Sequence, residues 1–251
     1  MNKDRVRLLN IYVDNVDMKE AVDRVEDLAT SEGYHYVVTP NVAHLVSLEE
    51  DLEFRQVYDN ADLILTDGMP LIWISNWFKK PIKEKVSGSD LFPLVCERAA
   101  NKGYNIFILG AAEGVAALAA EKLKSKYNNL NVVGTYSPSY GFEKDPNEVQ
   151  KIVDIVNEAK PHILFVGLGA PKQEKFVFKY RDELKVPVSL GIGASIDFEA
   201  GRIKRAPRWM QKSGLEGFYR FFKEPRRMFK RVFIDDFKIV KLIFKYKEHM
   251  K

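Results

Sequence analysis

Short apolar runs alternate with longer helical stretches along this chain, and that alternation restricts the fold more than any other feature. Runs at 8–13, 34–39, 63–66, 104–109, 132–136, 163–167 and 188–191 are rich in β-branched and aromatic residues and read as strands. Between them, the stretches 18–31, 42–59, 69–79, 90–102, 114–127, 146–159 and 172–184 carry helical periodicity. Ile163-Leu164-Phe165-Val166 is apolar without alternation, as expected of a strand buried on both faces. Strands separated by helices of this length predict an α/β fold, a mostly parallel sheet flanked by helices. Turn residues close several strands: Asp67-Gly68, Gly110, Gly167 and Gly191. Ligands of such sheets bind beyond the carboxyl ends of the strands, so chemistry is expected there.

Charge divides the chain in two. Between residues 202 and 251 sixteen Lys and Arg stand against five Asp and Glu, a surplus of +11. The whole chain carries +4, so residues 1–201 carry −7. The sequence therefore predicts a catalytic body over 1–201 and a basic appendage over 202–251. Within the appendage Phe229, Val232, Phe233, Phe237, Val240 and Phe244 recur at helical spacing among lysines and arginines, interrupted by Asp236. An anionic partner is implied, either nucleic acid or a lipid headgroup layer.

A length of 251 residues with 46% hydrophobic content suffices for one large domain with an appendage. The single cysteine, Cys96, lies in an apolar helical pattern and reads as a buried reduced thiol. The charged residues 1–10 lack the apolar core of a secretory signal, and no apolar run approaches the ~20 residues of a membrane span. A cytoplasmic location is expected.

The segment Val166-Gly167-Leu168-Gly169-Ala170-Pro171-Lys172-Gln173-Glu174-Lys175 runs from a buried strand through two glycines to a proline at a helix start. One reading is a phosphate cradle, with Lys172 and Gln173 projecting toward the same ligand. The other is a tight strand-to-helix turn with proline at the first helical position. Thr39-Pro40-Asn41 reads as a helix start capped by Thr39. Asp67 is the carboxylate best placed at the sheet's ligand edge, where it could act as general base toward a hydroxyl. The glycine clusters at 110–114 and 191–197 lack the spacing of a dinucleotide fingerprint, which argues against a nicotinamide or flavin enzyme. No Asp-x-Asp pair occurs, and His35, His44, His162 and His249 show no metal-ligand spacing. No metal and no cofactor is expected.

Taken in order, Thr39-Pro40-Asn41, Thr66-Asp67-Gly68, Val86-Ser87-Gly88-Ser89-Asp90-Leu91 and Gly169-Ala170-Pro171-Lys172-Gln173-Glu174-Lys175 resemble the WecG/TagA/CpsF glycosyltransferases. The resemblance continues through Lys204-Arg205-Ala206-Pro207, Gly214-Leu215-Glu216, Tyr219-Arg220 and Lys223-Glu224-Pro225-Arg226-Arg227, nearly the whole chain. It implies a Rossmann-like fold and an inverting, metal-independent transfer from a UDP-sugar to a polyprenyl-diphosphate-linked sugar acceptor. The donor implied is UDP-N-acetylmannosamine or a related UDP-hexose, in teichoic acid or other cell-surface polysaccharide synthesis. The implied place of action is the inner face of the bacterial plasma membrane. Carried over position by position, Asp67 becomes the general base. Thr39, Asn41 and Gln173 would hold the donor sugar and phosphates, and Asp197 would contact the nucleotide. Gly110, Gly167, Gly169 and Lys172 would line the donor site. Arg220, Arg227 and Lys230 would close over it and approach the diphosphate. Lys85 stands where the family commonly carries arginine, and Lys230 is a similar replacement, with Arg231 beside it. Lysine supplies a point charge in place of a planar fork.

A departing UDP needs positive charge, and the appendage has a surplus of it. The appendage is therefore expected to bind an anionic membrane surface and to supply Arg220 or Arg227 to the site. Self-association through the same amphipathic helix stays open. The competing expectation is a nucleotide- or nucleic-acid-binding protein without transferase activity. It accounts for the basic appendage but gives Asp67 and the glycine loops no role, so no specific nucleic acid partner is expected.

Overall fold

A computed structural model describes residues 5–207, 209–210, 219 and 236–250. Arg220, Arg227, Lys230 and Arg231 lie outside the described residues.

Six strands form one parallel sheet, in the order β4-β3-β8-β7-β5-β6. They are β3 (His35–Val38), β4 (Leu63–Ile64), β5 (Asn105–Gly110), β6 (Asn131–Tyr136), β7 (Ile163–Gly167) and β8 (Val188–Gly191). Residues 163–166 at the sheet's centre are at most 2% exposed, as their unbroken apolar pattern requires. The expected α/β architecture is the one observed.

Two hydrophobic layers cover the sheet. On one face pack α2 (Val42–Ser47), α3 (Leu52–Asp59), α4 (Met69–Trp77), α7 (Pro146–Ala159), α8 (Lys172–Leu184) and α10 (Asp236–Met250). On the other pack α1 (Met18–Thr30), α5 (Gly88–Lys102), α6 (Val115–Lys126) and α9 (Ser195–Glu199). Local signals explain the helices. Asp145 caps α7 by accepting from the Asn147 amide, Pro146 opens it, and Val149, Ile152, Val153 and Val156 are buried at helical spacing. Asp17 and Glu20 form a reciprocal capping box at the start of α1.

Three elements differ from the sequence expectation. The run at 8–13 is not one strand but an antiparallel hairpin outside the main sheet, β1 (Arg5–Leu8) and β2 (Ile11–Asp14), closed by Leu9 and Asn10. Leu9 takes a φ of 53°, a left-handed value unusual for leucine. Its side chain is fully buried, and its amide donates to Met250 Sδ at 3.2 Å. The stretch at 42–59 is two helices, because the Asp51 side chain accepts from the Phe54 amide and caps a second start. Strand β4 is also shorter than expected, although the Leu65 amide still bonds to the Val38 carbonyl.

The hairpin is fixed to the sheet through buried Asp14. Its carboxylate accepts from Arg5, Arg24 and the Ile64 amide. Helix α10 docks beside it, with Leu242 and Met250 buried and with Lys245 and Tyr246 both on Glu49. Among the described residues no helix is long and apolar enough to cross a membrane.

Candidate active site

After β3 and β7 the chain passes to one face of the sheet, and after β8 and β5 to the other. These strands neighbour one another in the order β3-β8-β7-β5, so their connections part at every junction. Such divergence opens crevices beyond the carboxyl ends. The loops 39–41, 66–68, 110–112, 167–171 and 191–195 all lie along that edge.

Close backbone approach holds the loops together. The Ala111 amide donates to the Gly167 carbonyl at 3.0 Å, and a Cβ on Gly110 would sit 2.4 Å from that same oxygen. Only glycine fits there. Thr39 is buried and its hydroxyl donates to the Gly191 carbonyl at 3.2 Å, tying β3 to β8. The cap of α2 is therefore Asn41, whose side chain accepts from the Ala43 amide at 3.0 Å, and Thr39 is not the capping residue. The Asp67 amide donates to the Pro40 carbonyl at 2.9 Å, which fixes the loop after β4 against the loop after β3. Asp67 is half-buried, and the adjacent Thr66 is buried with no partner for its hydroxyl among the described residues. The Val86 amide donates to the Thr66 carbonyl at 2.8 Å, which brings the 85–90 segment to the same edge.

Gln173 and Lys172 point in different directions from the start of α8, since successive helical positions are about 100° apart around the axis. Gln173 is buried over the end of β8. Its carbonyl oxygen accepts from the Gly193 amide at 3.1 Å and its amide nitrogen donates to Glu174 Oε1 at 2.7 Å. A Cβ on Gly191 would meet Gln173 Nε2 at 2.9 Å, so the glycine makes room for the amide. Lys172 instead reaches Glu143 at 2.9 Å and lies over the rings of Tyr140 and Phe142. Pro171, joined to Ala170 by a cis peptide, offers no side-chain cap to the α8 amides. The positive end of that helix faces the edge.

Glu174 received no role from the sequence, yet it is the most perturbed carboxyl here. It is 2% exposed, and burial lifts its pKa to about 7 against the hydrogen bond from Gln173. Among the described residues its Oε2 has no partner. Beside it Tyr58 is pushed well above the ordinary phenol value, by burial first and then by the Glu174 and Asp67 carboxylates. The Tyr58 hydroxyl lies 2.8 Å from His44 Nδ1. No spacing in the sequence connects His44, Tyr58 and Glu174, which meet only through packing.

Lys85 binds Asp90 Oδ2 at 2.9 Å, and Arg205 binds Asp90 Oδ1 at 2.8 Å. Burial opposes the charge on Asp90, but hydrogen bonds from Ser87, Arg205 and Lys85 hold its pKa at about 2. This cluster ties residues 202–207 to the start of α5, with Ala206 buried beside it. Both partners stand in motifs visible in the sequence, but their pairing does not. Asp197, half-buried in α9, accepts the Arg202 and Ile203 amides on its carbonyl and so begins the same connection. Lys175 pairs with Asp51 and Glu53. Among the described residues no three His, Cys, Asp or Glu side chains gather to hold a metal ion.

Comparison with known proteins agrees with the ordered motifs. The chain is 33% identical over 192 residues to the N-acetylglucosaminyldiphosphoundecaprenol N-acetyl-beta-D-mannosaminyltransferase of Bacillus spizizenii, covering 76% of this chain and 72% of that protein. It is 34% identical over 190 residues to the Bacillus subtilis protein of the same name, covering 76% and 71%. Against the Staphylococcus aureus protein of that name it is 26% identical over 229 residues, covering 90% and 88%. The profile of the family described as Glycosyl transferase WecG/TagA/CpsF matches residues 6–251, and the chain belongs to that family.

Proposed function

We propose that this protein transfers N-acetylmannosamine, or a closely related hexose, from a UDP-sugar to a polyprenyl-diphosphate-linked sugar. The reading rests on one observation above the others. Thr39, Asp67 and Gln173 are drawn to one edge of the sheet by a chain of contacts running through Pro40, Gly191 and Gly193.

In the proposed reaction the Asp67 carboxylate takes the proton of the acceptor hydroxyl as its oxygen bonds to the anomeric carbon. The bond to UDP breaks and the leaving group departs with its electron pair, inverting the carbon. Thr39, Asn41 and Gln173 orient the donor, Gly110, Gly167 and Gly169 line its path, and Asp197 contacts the nucleotide. No divalent cation takes part. Three lysines of the matched motifs are already engaged: Lys85 with Asp90, Lys172 with Glu143, and Lys175 with Asp51 and Glu53. Charge for the departing diphosphate then falls to Arg220 and Arg227, with Lys230 and Arg231. The appendage holds the enzyme against an anionic membrane at the cytoplasmic side, where a lipid-linked acceptor resides. The lipid-linked acceptors named for the Bacillus and Staphylococcus relatives support this choice.

Turnover of a panel of UDP-sugars on a short-chain polyprenyl-diphosphate-N-acetylglucosamine tests the proposal. Wild type and Asp67→Asn are run with chelator present. Positioned base catalysis is worth roughly 10²–10⁴-fold, so the variant should lose turnover by that factor while binding UDP as before. Equal turnover by the variant refutes the assignment of Asp67. Salt-sensitive binding of any polyanion, with neither UDP binding nor turnover, refutes the transferase reading and leaves a polyanion-binding protein.

A further inference from the structure

Helix α4 begins two residues after Asp67 and combines a well-buried face with an aromatic one that none of the described residues covers. Leu71, Ile72, Ile74 and Ser75 are buried. Trp73 and Trp77, one turn apart, are 52% and 69% exposed, and Trp77 stacks on Phe78. Lys79 and Lys80 follow at once. Among the described residues neither has an ion-pair partner, whereas Lys83 holds Glu20 and Lys85 holds Asp90. Among the described residues, two indoles and two ammonium groups thus stand together in water, although an exposed tryptophan on a protein surface is unusual.

We infer that Trp73 and Trp77, with Lys79 and Lys80, form a membrane-interface anchor on the catalytic body, separate from the appendage. The inference rests on the lipid-linked acceptor reading above and specifies which part of the body meets the bilayer. Indole rings favour the headgroup layer, where the ring is apolar and the N–H finds an acceptor. Adjacent lysines supply attraction to anionic headgroups. A second copy of the chain fits less well. In a two-fold contact the patch would meet itself and set the lysine pairs against one another.

Position favours the same partner. At ~1.5 Å rise per residue, Trp73 and Trp77 lie roughly 6 and 12 Å along the helix from Met69. A bilayer touching them therefore sits close to the loop that carries Asp67. Helix α10 packs on the same layer of the molecule and also leaves an apolar pair one turn apart, Val240 and Phe244, exposed beside Lys241.

Sedimentation of the full chain with phosphatidylglycerol–phosphatidylcholine vesicles tests the anchor. Removing both lysines (Lys79→Gln with Lys80→Gln) should lower the partition coefficient by about 30-fold. Trp73→Gln with Trp77→Gln should lower it by on the order of tenfold or more. In a Trp209→Phe background, where only Trp73 and Trp77 remain, brominated lipid should quench the fluorescence. Unchanged partitioning of both double variants, or no quenching, overturns the proposal. So does a loss of dimer by the tryptophan variant in sedimentation equilibrium while partitioning holds, which would make the patch a contact between copies. Turnover of a water-soluble short-chain acceptor should be unaffected by the tryptophan changes, while turnover of a long-chain acceptor in vesicles falls. Vesicle binding and quenching need no turnover, so failure of the anchor and failure of the transferase reading are told apart.

Discussion

Replacing Glu174 with glutamine removes a carboxyl that the fold keeps almost wholly out of water. Its pKa rises from an ordinary 4.5 to about 7, with burial as the cause and the Gln173 hydrogen bond opposing. A carboxyl whose folded value is raised favours the protonated native state. Its contribution is fully present below about pH 4.5 and is lost as the pH climbs through about 7. At ~1.4 kcal/mol per pH unit, the wild type loses about 3 kcal/mol from this group across that window. Glutamine has nothing to titrate, and its carbonyl can still accept from Gln173. Its added N–H₂ replaces the unpartnered Oε2, so a further cost of about 1–3 kcal/mol applies at every pH and cancels when pH values are compared. Urea unfolding of both proteins at several values between about pH 5 and pH 8 reads the effect directly. The stability of wild type relative to Glu174→Gln should fall steadily with pH, by about 2–3 kcal/mol over that range. Parallel pH dependences would refute the reasoning, because they would mean that Glu174 titrates as it does in the unfolded chain.

Two further outcomes follow from the geometry. A Cβ at Gly110 meets the backbone oxygen of Gly167 at 2.4 Å, whereas one at Gly169 meets nothing within 4 Å and faces only a φ of 80°. Gly169→Ala should therefore cost about 1–2 kcal/mol and Gly110→Ala distinctly more, and thermal unfolding of the pair compares them. At Asp90, stabilisation is present above an ordinary carboxyl value of 3.8 and is lost as the pH falls through about 2. With solvent screening allowed for, Asp90→Asn should cost about 1–2 kcal/mol at neutral pH. It should also speed tryptic cleavage at Lys204 and Arg205, and an unchanged cleavage rate would show that Asp90 does not hold residues 202–207.

What the sequence disclosed and what it hid divide along physical lines. Residues 163–167 were legible because a strand buried on both faces has no room for polar alternation. The 42–59 break was hidden because Asp51 carries the same letter in a helix interior as at a cap, and only its bond to the Phe54 amide tells them apart. The hairpin at 8–13 was hidden for a related reason. Its turn uses Leu9 and Asn10 in place of glycine, and burial of Leu9 against Met250 holds the left-handed geometry from the far end of the chain. The loops that carry Thr39, Asp67 and Gln173 could be placed at the carboxyl edge, since strand ends are local features. Side-chain direction could not. Lys172 and Gln173 are neighbours in sequence, yet one faces Glu143 and the other lies over β8.

The lysine pairings bear on the chemistry as well. An isolated lysine near a departing diphosphate would add Coulomb attraction, but one already paired with a carboxylate adds much less, because the carboxylate repels the same phosphate. Lys85, Lys172 and Lys175 are all paired in this way, within a body whose net charge is −7. On the transferase reading, a site edge built from backbone, half-buried carboxylates and neutralised lysines is suited to hold a neutral sugar. It is poorly suited to stabilise the growing charge on UDP. We propose that the surplus charge of residues 202–251, +11 in all, meets that deficit, which would make the charge asymmetry of the sequence and the paired lysines of the fold one division of labour.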